Sequence, residues 1–192
     1  MDRSRPTLSR RRKVAGEGEP EVYAADEQGI GVDMMRWVGL ARRVLISEGV
    51  RGNAELNMLF VDEASIAELN ESFLDKQGST DVLAFPIDGE LDIATAAIAT
   101  GPGRAHPDLD DLPLLLGDVV ICPAVALAQA CDHAGTFDDE MALLCVHGAL
   151  HVLGYDHEVA EDGERMRQRE LDLLIEHHWH GPAPDGFRRN GP

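Results

Sequence analysis

Aromatic residues are scarce in this 192-residue chain, where two Trp, two Tyr and five Phe make up 5% of the total. A core stacked from rings is thereby excluded, and packing must rest on aliphatic side chains. Cysteine is scarce too: Cys122, Cys131 and Cys145 are an odd number and sit among aliphatic residues. They read as buried, reduced thiols of a cytosolic protein rather than as a disulfide framework. No stretch approaches the roughly 18 uninterrupted apolar residues of a membrane-spanning helix, so a soluble protein with no membrane partner is expected. Positive charge is also in short supply, with 17 Lys and Arg against 35 Asp and Glu, a net charge of -18. Such a surface repels other polyanions at long range and excludes a broad nucleic-acid-coating role.

The residues present, 44% hydrophobic and 27% charged, suit one globular domain of ordinary size. Charge is unevenly placed along the chain. Met1 to Lys13 holds six basic residues and one acid, leaving 11 basic and 34 acidic residues beyond it. The expected organisation is a disordered basic tail over 1–20, a single domain over 21–180 and a short C-terminal tail over 181–192. The basic start lacks the apolar core of a secretory signal, and a cytoplasmic location is expected.

Apolar spacing predicts a first helix from Val32 to Ile46, with Asp33 as N-cap and Gly49 as stop. Glu55–Val61 reads as a strand and Ala64–Phe73 as a short helix. Asp81–Phe85 and Gly117–Cys122 read as buried strands, each ended by a proline. Between them, 87–116 reads as a surface excursion. Helices follow over Ala124–His133, Phe137–Leu153 and Glu161–His178, the last carrying Met166, Leu171, Leu174 and Ile175. No internal repeat is present.

The chemically informative stretch runs from His147 to His157. His147 and His151 are four apart, so on a helix their imidazoles leave one face and can meet a single ion at about 2.0 to 2.1 Å. Gly154 is placed to end that helix in a left-handed conformation and return His157 toward the same ion. Three neutral nitrogen ligands leave a fourth position open, the arrangement of catalytic zinc. Metalloproteases with this spacing place a glutamate after the first histidine as general base, and here Gly148 stands there. Peptide hydrolysis therefore lacks its proton carrier. His177, His178 and His180 read instead as the cationic end of the last helix.

The stretch His147-Gly-Ala-Leu-His-Val-Leu-Gly-Tyr-Asp-His157 closely resembles the hallmark of the YbeY family of endoribonucleases, with Val152 a conservative departure. Two further segments resemble the family in the same order: Leu69-Asn70 leading to Thr80-Asp-Val-Leu-Ala-Phe-Pro86, and Leu116-Gly-Asp-Val-Val-Ile-Cys122. The resemblance implies an α+β fold with a small mixed sheet packed with helices, and a zincin-like site of one Zn2+ on His147, His151 and His157. It further implies cleavage of single-stranded RNA in 16S rRNA 3′-end maturation, and a part in ribosome quality control. The small ribosomal subunit or its assembly factors are the partners it implies. Leu74 stands where many members carry an RNA-contacting Arg, and Ala84 replaces a frequent Ser. Lys76 either supplies the missing cation or is a solvated loop lysine. Asp81 and Asp118 either orient substrate or a histidine, or else cap turns and bond backbone amides. An activated water at an open metal site suffices for phosphodiester cleavage without a dedicated carboxylate. The competing readings are a metal-dependent hydrolase of another substrate and a noncatalytic ribosome-assembly factor with structural zinc.

Overall fold

The structure is a computed structural model that describes residues 18–87, 113–155 and 160–187. The described residues run β1 (Glu21–Asp26), α1 (Met34–Ser47), β2 (Ala54–Phe60), α2 (Glu63–Leu74), β3 (Val82–Pro86), β4 (Leu114–Ile121), α3 (Pro123–Gln129), α4 (Phe137–Val152) and α5 (Ala160–Leu174). A single π-helical turn, Ile175–Trp179, follows without a break. The sheet order is β1-β2-β4-β3, with β1, β2 and β4 parallel and β3 antiparallel to β4. This is the expected α+β fold with a small mixed sheet.

Alternation along β2 and β4 decides what each sheet face meets. Leu56, Met58, Phe60, Val119 and Ile121 join Trp37, Leu40, Val44 and Leu45 of α1 and most of α4 in the main core. Burial of each such side chain contributes about 1.5 to 3 kcal/mol. The alternate residues Val120 and Cys122, with Leu83 of β3 and Val61, form a second cluster with Ile66 of α2. α1 begins where Asp33 accepts from the Arg36 amide at 3.2 Å. It ends at Gly49, which has φ +82 and donates to Ile46 O. Both ends lie where the sequence placed them.

Other boundaries differ from expectation. β1 carries little apolar pattern because it is an edge strand with Tyr23, Ala25 and Asp26 exposed, so periodicity did not reveal it. β4 begins at Leu114, inside the expected excursion. Its register against β2 shifts between Glu55 and Leu56, which skips Leu116 and puts Gly117 opposite Leu56. A bulge of this kind breaks the strand pattern read from sequence. Gly117 has φ +146, and a Cβ there would lie 2.3 Å from Phe85 O. α3 stops at Gln129, and residues 130–136 turn rather than continue the helix to His133. Cys131 consequently falls on that turn and is exposed, unlike the buried Cys122 and Cys145. Burial pushes the Cys145 thiol up to about 12, which leaves it inert.

The basic run Met1 to Lys13 lies outside the described residues. Contacts of the fold begin before Glu21: Gly18 O accepts from Gly52 N at 3.1 Å, Glu19 pairs with Arg42, and Pro20 is buried. Removing 1–17 is therefore expected to leave the unfolding free energy within about 1 kcal/mol of the full chain, with removal of 1–20 costing more. Urea unfolding of both truncated chains checks this, and equal stabilities would show that Gly18, Glu19 and Pro20 add nothing.

Candidate functional site

α4 is the element on which the site is built. Thr136 caps it by accepting from the Asp139 amide at 3.1 Å. Asp138, Asp139 and Glu140 place negative charge in its first turn, where the helix dipole favours it. From Met141 to Val152 every residue is buried except His147 and His151, which are half-buried. Those two histidines sit one turn apart, and their Nε2 atoms approach to 3.1 Å with the rings edge to face. Two ligand nitrogens of a tetrahedral zinc at 2.0 to 2.1 Å stand about 3.3 Å apart, so the donor pair fits such an ion.

Glu170 on α5 completes the support. Its buried carboxylate lies 2.7 Å from His147 Nδ1. A proton held on Nδ1 by a carboxylate leaves the lone pair on Nε2, the nitrogen that faces His151. Sequence reading passed over Glu170. The signal for it in the sequence is a carboxylate on the apolar stripe of α5, between Met166 and Leu173; Leu171, expected on that stripe, is only half-buried.

The helix exit also has the expected form. Gly154 has φ +89, its N–H donates to His151 O at 2.9 Å, and Tyr155 N–H donates to Leu150 O at 3.1 Å. This paired closure satisfies carbonyls that the last turn leaves open. The Tyr155 hydroxyl then donates to Glu48 at 2.7 Å. Burial, together with that bond, pushes the phenol up to about 12, so it remains a donor at neutral pH. His157 lies outside the described residues.

Gly148 does more than omit a carboxylate. A Cβ at this position would stand 2.5 Å from Val119 Cγ1 and 3.4 Å from Val82 Cγ2. α4 thus packs directly on the Val119 and Val82 side chains, and a side chain at 148 would require those valines to shift.

The remaining sequence candidates take structural bonds. Asp81 accepts from its neighbour Val82 N at 2.8 Å, from Thr80 Oγ1 at 3.2 Å and from Gln129 Nε2 at 2.7 Å. Gln129 also donates to the fully buried Glu140, whose two oxygens meet His133 Nδ1 and the Ala134 amide. Asp81 is thereby tied to the first turn of α4, about 10 Å along the helix from His147. Asp118 accepts from Asn57 Nδ2 at 2.8 Å. By strand alternation it faces away from Val119 and α4, so the sheet separates it from the histidine pair. Lys76 is exposed in a loop braced by Asn70, whose amide donates to Gly78 O at 2.9 Å. Leu74 is exposed beside it.

Of the three histidines read as the cationic end of the last helix, His177 and His178 are anchors to distant elements, whereas His180 is exposed and meets Glu176 O at 2.9 Å. His177 lies 2.7 Å from Ser47 Oγ, and burial lowers its pKa from the ordinary value. His178 and Trp179 both meet Asp139 Oδ1, at 2.9 and 2.6 Å. Burial alone would raise the Asp139 pKa, but bonds from Thr136, Trp179 and His178 hold it below the ordinary carboxylate value.

The buried helix α4 thus presents two convergent histidines, one of them backed by a carboxylate. The family model described as Endoribonuclease YbeY matches residues 23–178. Endoribonuclease YbeY of Acidothermus cellulolyticus is 47% identical over 157 residues, covering 80% of this chain and 88% of that protein. Endoribonuclease YbeY of Mycolicibacterium vanbaalenii is 39% identical over 155 residues, covering 81% and 79%. A solution structure of the Thermotoga maritima protein TM1509 matches with TM-score 0.48 and 24% identity, covering 84% of this chain and 91% of that one. The chain belongs to the YbeY family of endoribonucleases.

The contact at Gly148 yields a stability test. Alanine gains about 1 kcal/mol of helix propensity over glycine, whereas overpacking a tight contact costs about 1 to 3 kcal/mol. Gly148→Ala is expected to lower the urea midpoint. In a Val119→Ala background, where the opposing methyls are gone, the same change is expected to raise it. A Gly148→Ala effect independent of residue 119 would refute the close contact.

Proposed function

We propose that the protein is a single-strand-specific, metal-dependent endoribonuclease that holds one zinc ion through His147, His151 and His157. It acts in 16S rRNA 3′-end maturation and ribosome quality control in the cytoplasm. The observation that carries this reading is the convergent Nε2 pair at 3.1 Å, with His147 braced by Glu170. Zinc, when bound, would supply a Lewis acid for the charge on a phosphoryl oxygen and an activated water. Glu170 keeps the His147 proton on Nδ1, so Nε2 is presented as a ligand. Gly148, pressed against Val119, denies the site the proton-carrying carboxylate that peptide cleavage requires.

Substrate binding must contend with 35 acidic residues in the chain. Their field opposes a polyphosphate backbone, so affinity for naked RNA is low and steep in salt. Lys76, exposed on its braced loop next to Leu74, is the candidate cation for RNA contact, with a solvated loop lysine as the alternative. The small ribosomal subunit or an assembly factor presents the single-stranded substrate and offsets the repulsion. Among the described residues no helix is long and apolar enough to cross a membrane.

Elemental analysis of undepleted protein is expected to find about one zinc per chain. Zinc added to the stripped protein should raise its melting temperature. Protein purified without metal and unaffected by zinc would remove the basis of the reading.

The reaction is tested with single-stranded RNA, duplex RNA, unfolded casein and precursor-bearing small subunits, each with intact protein and with His151→Ala. Cleavage is expected on single-stranded RNA and on subunits, lost with chelator and in His151→Ala. Casein cleavage lost in His151→Ala, without RNA processing, would assign a peptidase. Inertness on all four substrates with a fourth protein ligand on the zinc would assign the noncatalytic assembly role.

A further inference from the structure

Glu48 sits at the C-terminal cap of α1, outside every motif that drew attention in the sequence. Its carboxylate is 12% exposed and is shared between two donors from distant parts of the chain. Tyr155 Oη donates to Oε2 at 2.7 Å, and Arg169 Nε donates to Oε1 at 2.5 Å. Tyr155 follows Gly154 directly, at the exit of α4. Arg169 is the residue before Glu170, which braces His147.

We propose that Glu48 is a positioning residue for the metal site, one carboxylate that fixes both the exit of the histidine helix and the rotation of the helix carrying Glu170. Successive residues of a helix point about 100° apart, so holding Arg169 against the end of α1 sets where Glu170 points. A turn of α5 about its axis would carry the Glu170 carboxylate off His147 Nδ1 and loosen the orientation of that ring. Both bonds are to one carboxylate that is largely out of water, at 2.7 and 2.5 Å. Asp and Gln do not reproduce the arrangement: Asp is a methylene too short to span both donors, and Gln turns an amide N–H toward one of them.

This inference rests on the zinc reading, and the experiment separates the two. Zinc dissociation constants are measured by competition with a chromophoric chelator for wild type, Glu48→Gln, Tyr155→Phe and Ile66→Val. The visible absorption spectrum of each cobalt-loaded protein is recorded, as is the melting of each apoprotein. Ile66 is fully buried in the second core cluster, so Ile66→Val lowers stability without touching Glu48. Glu48→Gln and Tyr155→Phe are expected to weaken zinc binding about tenfold and to shift the cobalt spectrum. Ile66→Val should lower apoprotein stability and change neither metal readout. Tyr155→Phe keeps the ring and removes only the hydroxyl, so it carries the test should Glu48→Gln not fold. Wild-type affinity and spectrum in both hub variants would overturn the positioning role with the zinc reading intact. A wild type that binds neither zinc nor cobalt would overturn both.

Discussion

The approach of α4 to β4 at Gly148 is the constraint on which the rest of the structure turns. With Val119 Cγ1 only 2.5 Å from where a Cβ would stand, the helix backbone at Gly148 lies directly against the Val119 side chain. Such a contact sets the distance of α4 from the sheet at this position and favours the rotation that turns Gly148 toward Val119. Once Gly148 faces the sheet, His147 and His151 emerge together at its flank, and Leu144, Cys145 and Leu150 fill the core. The residue that removes a general base is thus the residue that seats the helix.

The acid-rich composition has an internal use. Glu170, Glu140, Asp139 and Glu48 are buried or nearly so, and each is met by specific donors: His147; His133 with Gln129 and Ala134; His178 with Trp179 and Thr136; Arg169 with Tyr155. An unpaired buried carboxylate would be costly, so each set of partners specifies one docking geometry. Glu140 and Asp139 tie the start of α4 to the turn after α3 and to the C-terminal segment. Glu170 and Glu48 act at its other end. The helix bearing the histidines is therefore held at both ends by polar anchors and along its length by aliphatic packing.

Asp81 shows how a motif residue can be drawn into the fold's own hydrogen bonding. It resembles a family position and carries a carboxylate, yet its oxygens are taken by Val82, Thr80 and Gln129. Through Gln129 it joins the anchor at Glu140. Asp118 likewise spends its bond on Asn57, on the sheet face away from α4.

The sequence by itself determined the elements whose information is local. The ends of α1 follow from Asp33 and Gly49, and the one-turn spacing of His147 and His151 with the Gly154 exit follows from helix geometry. The mixed sheet came through the family resemblance rather than through periodicity, since β1 shows little apolar alternation and the bulge at Leu116–Gly117 breaks the pattern of β4. Only the tertiary structure assigned the carboxylates. Spacing puts Glu170 on the apolar stripe of α5 but does not name its partner, and nothing in composition or spacing distinguishes Glu48 from the many solvated acids of this chain; what sets both apart is a partner 23 to 121 residues away. The same holds for Gly148, whose role is read from Val119 across the core. Local pattern fixes which side chains share a helical face; what that face meets depends on contacts between segments, and those exist only once the chain is folded.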